Sequence, residues 1–308
     1  MRLLLLVNTS ASSVTARGRV VIQKALSADH QVQVVETSRR GHATRLAQGA
    51  AADGVDVVVA LGGDGTLNES ANGLAGTETA LAILPGGSTN VFARTIGLIN
   101  DPIEATGQLL GALGRPSSIR RIGMASLNGR YFLFNAGIGF DAAVIAQVER
   151  RSGLKRWAGH PLFVYAGFDT WFRHYDRRSP RLSVELADGT KIDDAYFALV
   201  LNTDPYTFLG NRPLHIAPEA TLDRGMAVAT FRTLAFVPFL RIIGSSLGFG
   251  RPIRSQRKLD LRTDLEEFSV RSQGAATPYQ VDGDYLGELT DARFRHEPDV
   301  LRLVLPGA

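Results

Sequence analysis

The segment Val57-Val-Val-Ala-Leu-Gly62-Gly63-Asp64-Gly65-Thr66-Leu67-Asn68-Glu69 constrains this chain more than any other. Its first half is a continuous apolar, largely β-branched run. That is the pattern of a strand covered on both faces, as in parallel sheets flanked by helices. The run passes directly into a cluster of glycines and then a helical pattern. Glycine lets a backbone approach a ligand closely and adopt conformations closed to other residues. The N–H groups of such a loop, with the helix N-terminus behind it, favour an anion such as phosphate. Asp64 is informative, because a carboxylate among phosphate-binding amides repels the ligand unless it serves a Mg²⁺ or a reacting hydroxyl. The loop is neither a Walker motif, lacking the following Lys, nor a complete dinucleotide fingerprint. The plainer alternative is a tight strand-to-helix turn capped by Asp64.

Around this segment strand and helix signals alternate. Strands are expected at 3–7, 31–36, 55–61 and 79–84, and helices at 14–28, 41–53, 67–74 and from Asn90 onward. Alternating units imply an open, mostly parallel sheet whose ligands sit at the carboxyl ends of the strands. After Gly114-Arg-Pro116 the pattern changes to strand-like runs at 119–126, 130–136, 182–187, 196–202 and 226–232. Turns such as Leu127-Asn-Gly129 and Ala187-Asp-Gly189 separate them and tolerate the positive φ of tight hairpins. Helices are expected at 141–151, 155–175 and 235–248. The reading is an α/β nucleotide-binding domain over 1–116 and a largely antiparallel, β-rich domain over 117–298. A last strand near 300–305, within residues 299–308, would return to the first domain.

A second strand–loop–helix follows about 20 residues after the first, Leu81-Ala-Ile-Leu-Pro85-Gly86-Gly87-Ser88-Thr89-Asn90-Val-Phe92-Ala-Arg94. Two such loops side by side at strand ends would form two walls of one crevice. In order and spacing they resemble the catalytic domain of diacylglycerol and sphingosine kinases, most of all its bacterial branch. Further matches are Thr37 with Gly41-His42-Ala43, Asn135-Ala-Gly-Ile-Gly-Phe140-Asp141-Ala142, and Val281-Asp282-Gly283-Asp284. NAD kinases share much of the first loop, so a kinase for another hydroxylated acceptor (a sphingoid, a glycolipid or NAD) stays open. So does a non-catalytic nucleotide- or lipid-binding regulator on the same scaffold.

The resemblance implies the two-domain architecture of lipid and NAD kinases, with ATP and Mg²⁺ as cofactors and a lipid hydroxyl, most readily that of diacylglycerol, as acceptor. It implies that Thr37, Gly62, Gly63, Asp64, Gly65, Thr66, Leu67, Asn68 and Ser88 contact ATP, with Asp64 organising the Mg²⁺–phosphate centre. It implies Asp284 as the base that accepts the lipid hydroxyl proton, and Asp141 as part of a water and metal network. Three departures from the family pattern stand out. Asn8-Thr-Ser10-Ala lacks the usual Pro and basic residue, for which Arg17 or Arg19 could substitute. Asp284 occupies a position that is usually Glu. In Leu222-Asp223-Arg224-Gly225 the second acidic position of a structural Mg²⁺ site is Arg224; either Asp223 shifts into the role or the guanidinium replaces the ion's charge.

With no cysteine, the chain forms neither disulfides nor thiolate metal sites, and its six histidines lack metal-ligand spacing. The apolar start ends at Asn8, too soon for a signal-peptide core, and reads as a buried strand. No stretch approaches the roughly 20 apolar residues of a spanning helix. The expectation is a cytoplasmic protein that visits the membrane peripherally. A net charge of +4 favours anionic partners, although no nucleic-acid module is recognisable. A homodimer is among the assemblies this reading allows. Trp157, Phe163, Trp171, Phe172, Phe236, Phe239 and Phe249 are available to line an acyl groove. The apolar stretch Val237 to Phe249, followed by Arg251, Arg254 and Arg257, suits docking on anionic lipid.

Overall fold

The structure, a computed structural model, describes residues 1–150 and 165–307. Trp157, Phe163 and the first part of the helix expected at 155–175 lie outside the described residues. The chain divides into two compact units, Met1–Met124 with Pro298–Ala308, and Ala125–Glu297.

In the first unit β1 (Arg2–Val7), β2 (Gln31–Glu36), β3 (Val57–Gly62) and β4 (Ala80–Pro85) run parallel in the order β2-β1-β3-β4. Leu303 of the final strand pairs in parallel with Leu81. Every residue of β3 and β4 is buried, which is why these strands read as unbroken apolar runs rather than alternating ones. The helices are α1 (Ala16–Ser27), α2 (His42–Ala52), α3 (Asp64–Leu74), α4 (Val91–Thr95) and α5 (Pro102–Leu113). Two of them differ from expectation. Helix α3 starts at Asp64 rather than Leu67, so Asp64-Gly65-Thr66 forms its first turn, where glycine costs little. Helix α5 was not expected, although its signals are present. Asp101 caps it by accepting from the amides of Ile103 (2.9 Å) and Glu104 (3.0 Å), and Pro102 opens the first turn. Ala105, Leu109, Ala112 and Leu113 then recur at helical spacing on its buried face.

The second unit contains the end of β5 (Ile119–Leu127), then β6 (Arg130–Phe132), β7 (Asn135–Ile138), α6 (Phe140–Arg150), β8 (Leu182–Leu186), β9 (Lys191–Ala195) and β10 (Phe197–Leu201). These are followed by β11 (Thr207–Leu209), β12 (Arg212–Leu214), β13 (Met226–Phe231), the helix Phe236–Ser246, β14 (Leu259–Leu265), β15 (Glu267–Ser272), β16 (Thr277–Val281), β17 (Asp284–Leu289) and the first half of the long β18 (Asp291–Val304), which from Pro298 onward belongs to the first unit. A wholly antiparallel sheet runs in the order β14-β13-β10-β7-β16-β17. Alternation along its strands feeds two cores. Ala198, Val200, Met226 and Val228 face a core shared with Val184, Phe268 and Phe294 of the neighbouring sheet. Leu199, Leu201, Ala227, Ala229 and Phe231 face a second one, closed by Phe140, Trp171 and Ile242. With both faces buried, β10 and β13 contain no exposed position.

The single strand expected at 130–136 is two, β6 and β7. Where they part, the amides of Leu133, Phe134 and Asn135 turn onto the Asp282 carboxylate at 2.8, 3.0 and 3.1 Å. A buried anion has drawn three donors out of the ladder.

Candidate active site

The two glycine loops lie at the carboxyl ends of adjacent parallel strands, with Gly62 in register with Pro85. Gly86 N–H donates to the Gly62 carbonyl at 2.8 Å. A Cβ at Gly86 would stand 3.0 Å from Gly62 Cα, and one at Gly87 would stand 2.9 Å from Gly63 Cα. Both approaches are to backbone, which yields poorly. Glycine is therefore required here by proximity; no glycine of either loop has a positive φ. Of the two properties expected of these glycines, close approach is the one the loops use, and the unusual backbone conformation is not. The residue that does adopt the left-handed region is Asn90, at φ 50. Its side chain closes a ring on Gly87, accepting from Gly87 N and donating to Gly87 O, both at 2.8 Å.

The loop after β1 joins this assembly. Asn8 Nδ2 donates to Thr66 Oγ1 at 2.9 Å, and Ser13 N donates to the Gly86 carbonyl at 2.8 Å. Asn8 and Ser13 thus brace the glycine loops, a role that the missing Pro and basic residue concealed. Arg19 is ion-paired with Glu36, and Arg17 is exposed.

Asp64 ties the two loops together. Its carboxylate accepts from the amides of Val91 (3.0 Å) and Phe92 (3.3 Å), the first two residues of α4. Asp64 is therefore a cap, of α4 rather than of its own helix. The first amides of any helix lack intrahelical partners. Those of α4 are taken by Asp64, whereas α3 begins behind Gly63, which has no side chain to cap it. The phosphate-favouring helix end is that of α3. One turn on, Glu69 accepts from Gly41 N (2.7 Å) and Ala43 N (3.0 Å), so the last residue of the motif caps α2. This brings the Gly41-His42-Ala43 segment to the same helix. Thr37 follows β2 and donates its amide to the Val7 carbonyl at 2.9 Å. Ser88 is exposed at the tip of the second loop, and Leu67 and Asn68 are buried. The Leu67 N–H is itself taken by the Gly63 carbonyl at 3.2 Å.

These residues fit a magnesium nucleotide. Two closely opposed glycine backbones leave no side chain in the way, an uncapped helix start offers amides to phosphate, and Asp64 adds an oxygen donor suited to a hard cation.

In the second unit Asp282 and Gly283, at φ 48 and 78, form a two-residue hairpin between β16 and β17, and Asp284 is the first residue of β17. The three amides held by Asp282 and the Gln280 Oε1 that accepts from Gly283 N (2.8 Å) fix this turn beneath Asp284. Asp141 lies buried on the first turn of α6. It accepts from the Tyr206 hydroxyl and, at 2.8 Å, from Gln280 Nε2. Gly137 makes room for it: a Cβ there would stand 1.9 Å from Asp141 Oδ2. Tyr206 and Gln280 were not singled out from sequence; a glutamine within an apolar strand was the available signal. Asp223 is exposed. Among the described residues, no group of three or more His, Asp or Glu is assembled that could hold a metal. Asp141 and Asp223 are not brought into such a group.

Burial pushes the Asp141 carboxyl up from its ordinary value near 3.8, against the opposite pull of the Tyr206 and Gln280 hydrogen bonds. Burial, and then the Asp141 carboxylate, push Tyr206 far up, so Tyr206 remains a donor. Because the folded value exceeds the ordinary one, the stability Asp141 contributes is complete at low pH. It is lost as pH rises through the raised value. Asp141→Asn should be less stable than wild type at acid pH, since its amide opposes the Gln280 donor. The gap should narrow as pH rises above about 4. Urea unfolding at stepped pH measures it, and a gap that stays constant would contradict the burial argument.

The family profile described as the diacylglycerol kinase catalytic domain matches residues 2–122. Over 276 residues the chain is 28% identical to a diacylglycerol kinase of Bacillus subtilis (strain 168), covering 87% of this chain and 84% of that one. Over 310 residues it is 30% identical to a probable lipid kinase, YegS-like, of Pseudomonas aeruginosa (strain UCBPP-PA14), covering 99% and 94%. Its fold resembles the crystal structure of a putative diacylglycerol kinase from Bacillus anthracis, with a TM-score of 0.75 at 23% identity, covering 99% and 97% of the two chains. The interlocked glycine loops thus occur in a chain that these relatives match along almost its whole length, and the chain belongs to the diacylglycerol kinase-like family of lipid kinases.

Proposed function

We propose that this chain transfers the γ-phosphate of ATP to a lipid hydroxyl, with diacylglycerol as acceptor and phosphatidic acid as product, while visiting the membrane peripherally. The observation that carries the reading is the pairing of two glycine loops whose only uncapped helix start is that of α3. It supports a phosphate ligand over Gly62 to Asn68, with Thr37 and Ser88 as further nucleotide contacts. Bound with the nucleotide, Mg²⁺ would be held by Asp64 and would neutralise phosphate charge. In the transfer the bond from the γ-phosphorus to the β–γ bridging oxygen breaks and one to the acceptor oxygen forms. Asp284 takes the hydroxyl proton. Such a reaction depends mostly on positioning and charge neutralisation, which suits loops whose side-chain and backbone contacts hold them rigidly together.

Labelled ATP offered with diacylglycerol, a sphingoid base, a glycolipid and NAD tests this directly. Label in phosphatidic acid is the expected result. Transfer to NAD alone would reject the lipid acceptor, and retained ATP binding without any transfer would favour a regulator.

A further inference from the structure

The helix Phe236–Ser246 is apolar on both sides. Phe239 and Ile242 face the core, with Ser246 buried one turn beyond. At helical spacing the opposite face carries Phe236, Val237 and Leu240, which are 46%, 54% and 42% exposed. A helix apolar all round belongs in a core or at a lipid interface, and this one has an outward face open to solvent. The patch continues beyond the helix. The Phe236 ring lies 5.4 Å from that of Trp171, which contacts Phe172 at 4.6 Å, and Phe172 is 60% exposed. Phe249, just past the helix end, is 55% exposed.

The helix and the loop after it carry charge of one sign, while Asp169, near Trp171 in the chain, is paired with Arg173. From Thr233 to Lys258 the chain carries five basic residues and no acidic one. Arg254 is paired with Glu219, but Arg241 and Arg251 have no acidic partner among the described residues. Arg177 stacks over Trp171 at 3.9 Å and Arg212 over Phe249 at 4.2 Å, so cations sit on the aromatic patch itself.

From this we infer that the outward face of the helix Phe236–Ser246, with Phe172 and Phe249, inserts into the headgroup layer of an anionic bilayer, its arginines binding lipid phosphates. The charge pattern selects this occupant. A second copy meeting the same face about a two-fold axis would set arginines against arginines. An anionic membrane instead takes both the apolar tips and the cations. The inference rests on the lipid-acceptor reading for its purpose, but docking is measured without the reaction.

The experiment is sedimentation with phosphatidylcholine vesicles in which phosphatidylglycerol is raised stepwise from zero, at low and high salt. The wild-type protein should bind in proportion to the anionic fraction and lose much of that binding in high salt. The R241A/R251A double variant should lower partitioning by about tenfold or more at low salt. The V237S/L240S double variant should lower it by about tenfold at both salts, since it removes inserted apolar surface. Both should keep wild-type transfer to acceptor dispersed in detergent, which shows that the fold is intact. A wild-type protein that ignores anionic vesicles yet phosphorylates dispersed lipid overturns docking and leaves the kinase reading standing. Vesicle binding without transfer to any acceptor supports docking and sinks the kinase reading. Unchanged partitioning in both variants, or a concentration-dependent dimer that V237S/L240S dissolves, overturns the assignment of this face.

Discussion

Asp64→Asn is expected to lower kcat by about a thousandfold while leaving a folded protein. The substitution preserves shape but removes the negative charge beside the α3 amides. Without it the Mg²⁺–phosphate centre loses the ligand proposed to organise it. The carboxylate also accepts from Val91 N and Phe92 N. Asparagine can satisfy only one of these through oxygen, and its amide would face the other donor. The stability cost should be about 1–2 kcal/mol, a drop of only a few degrees in Tm. Labelled-phosphate transfer and thermal unfolding of the same preparation separate the two effects. A near-wild-type rate would leave Asp64 as a cap and nothing more.

Asp284→Asn should lower kcat by about two to three orders of magnitude, the range in which a positioned base contributes, with little change in stability. Asp284 is half-buried and starts β17, whereas the buried anchor of its turn is Asp282, which holds three backbone amides. The contrast is the test. Asp282→Asn should unfold at lower urea because buried donors lose their partner, while Asp284→Asn should unfold like wild type and fail in transfer. If Asp284→Asn turns over at the wild-type rate, another group takes the proton.

Both expectations combine what was readable early with what was not. The buried runs at β3 and β4 and the glycines after them were legible, because parallel strands covered on both faces need unbroken apolar sequence. The extent of β18 was not. From Asp291 to Glu297 only Ala292 and Phe294 are apolar, too short an alternation to mark a strand, so only its apolar end looked like one. The break between β6 and β7 was equally invisible, since it depends on Asp282, 147 residues beyond Asn135 in the chain. Asn8, Ser13 and Glu69 looked like loop or motif residues and proved to be braces.

The sequence alone determined where a phosphate-binding backbone could form, since a chain without side chains at Gly62, Gly63, Gly86 and Gly87 can bring two loops into contact. Only the tertiary structure decided what each carboxylate does. Asp64 caps a neighbouring helix, Glu69 caps another, Asp282 pins a turn and Asp141 is sealed under a tyrosine. An acidic side chain carries the same charge everywhere in a sequence, and it is the donors that folding brings to it that settle its work.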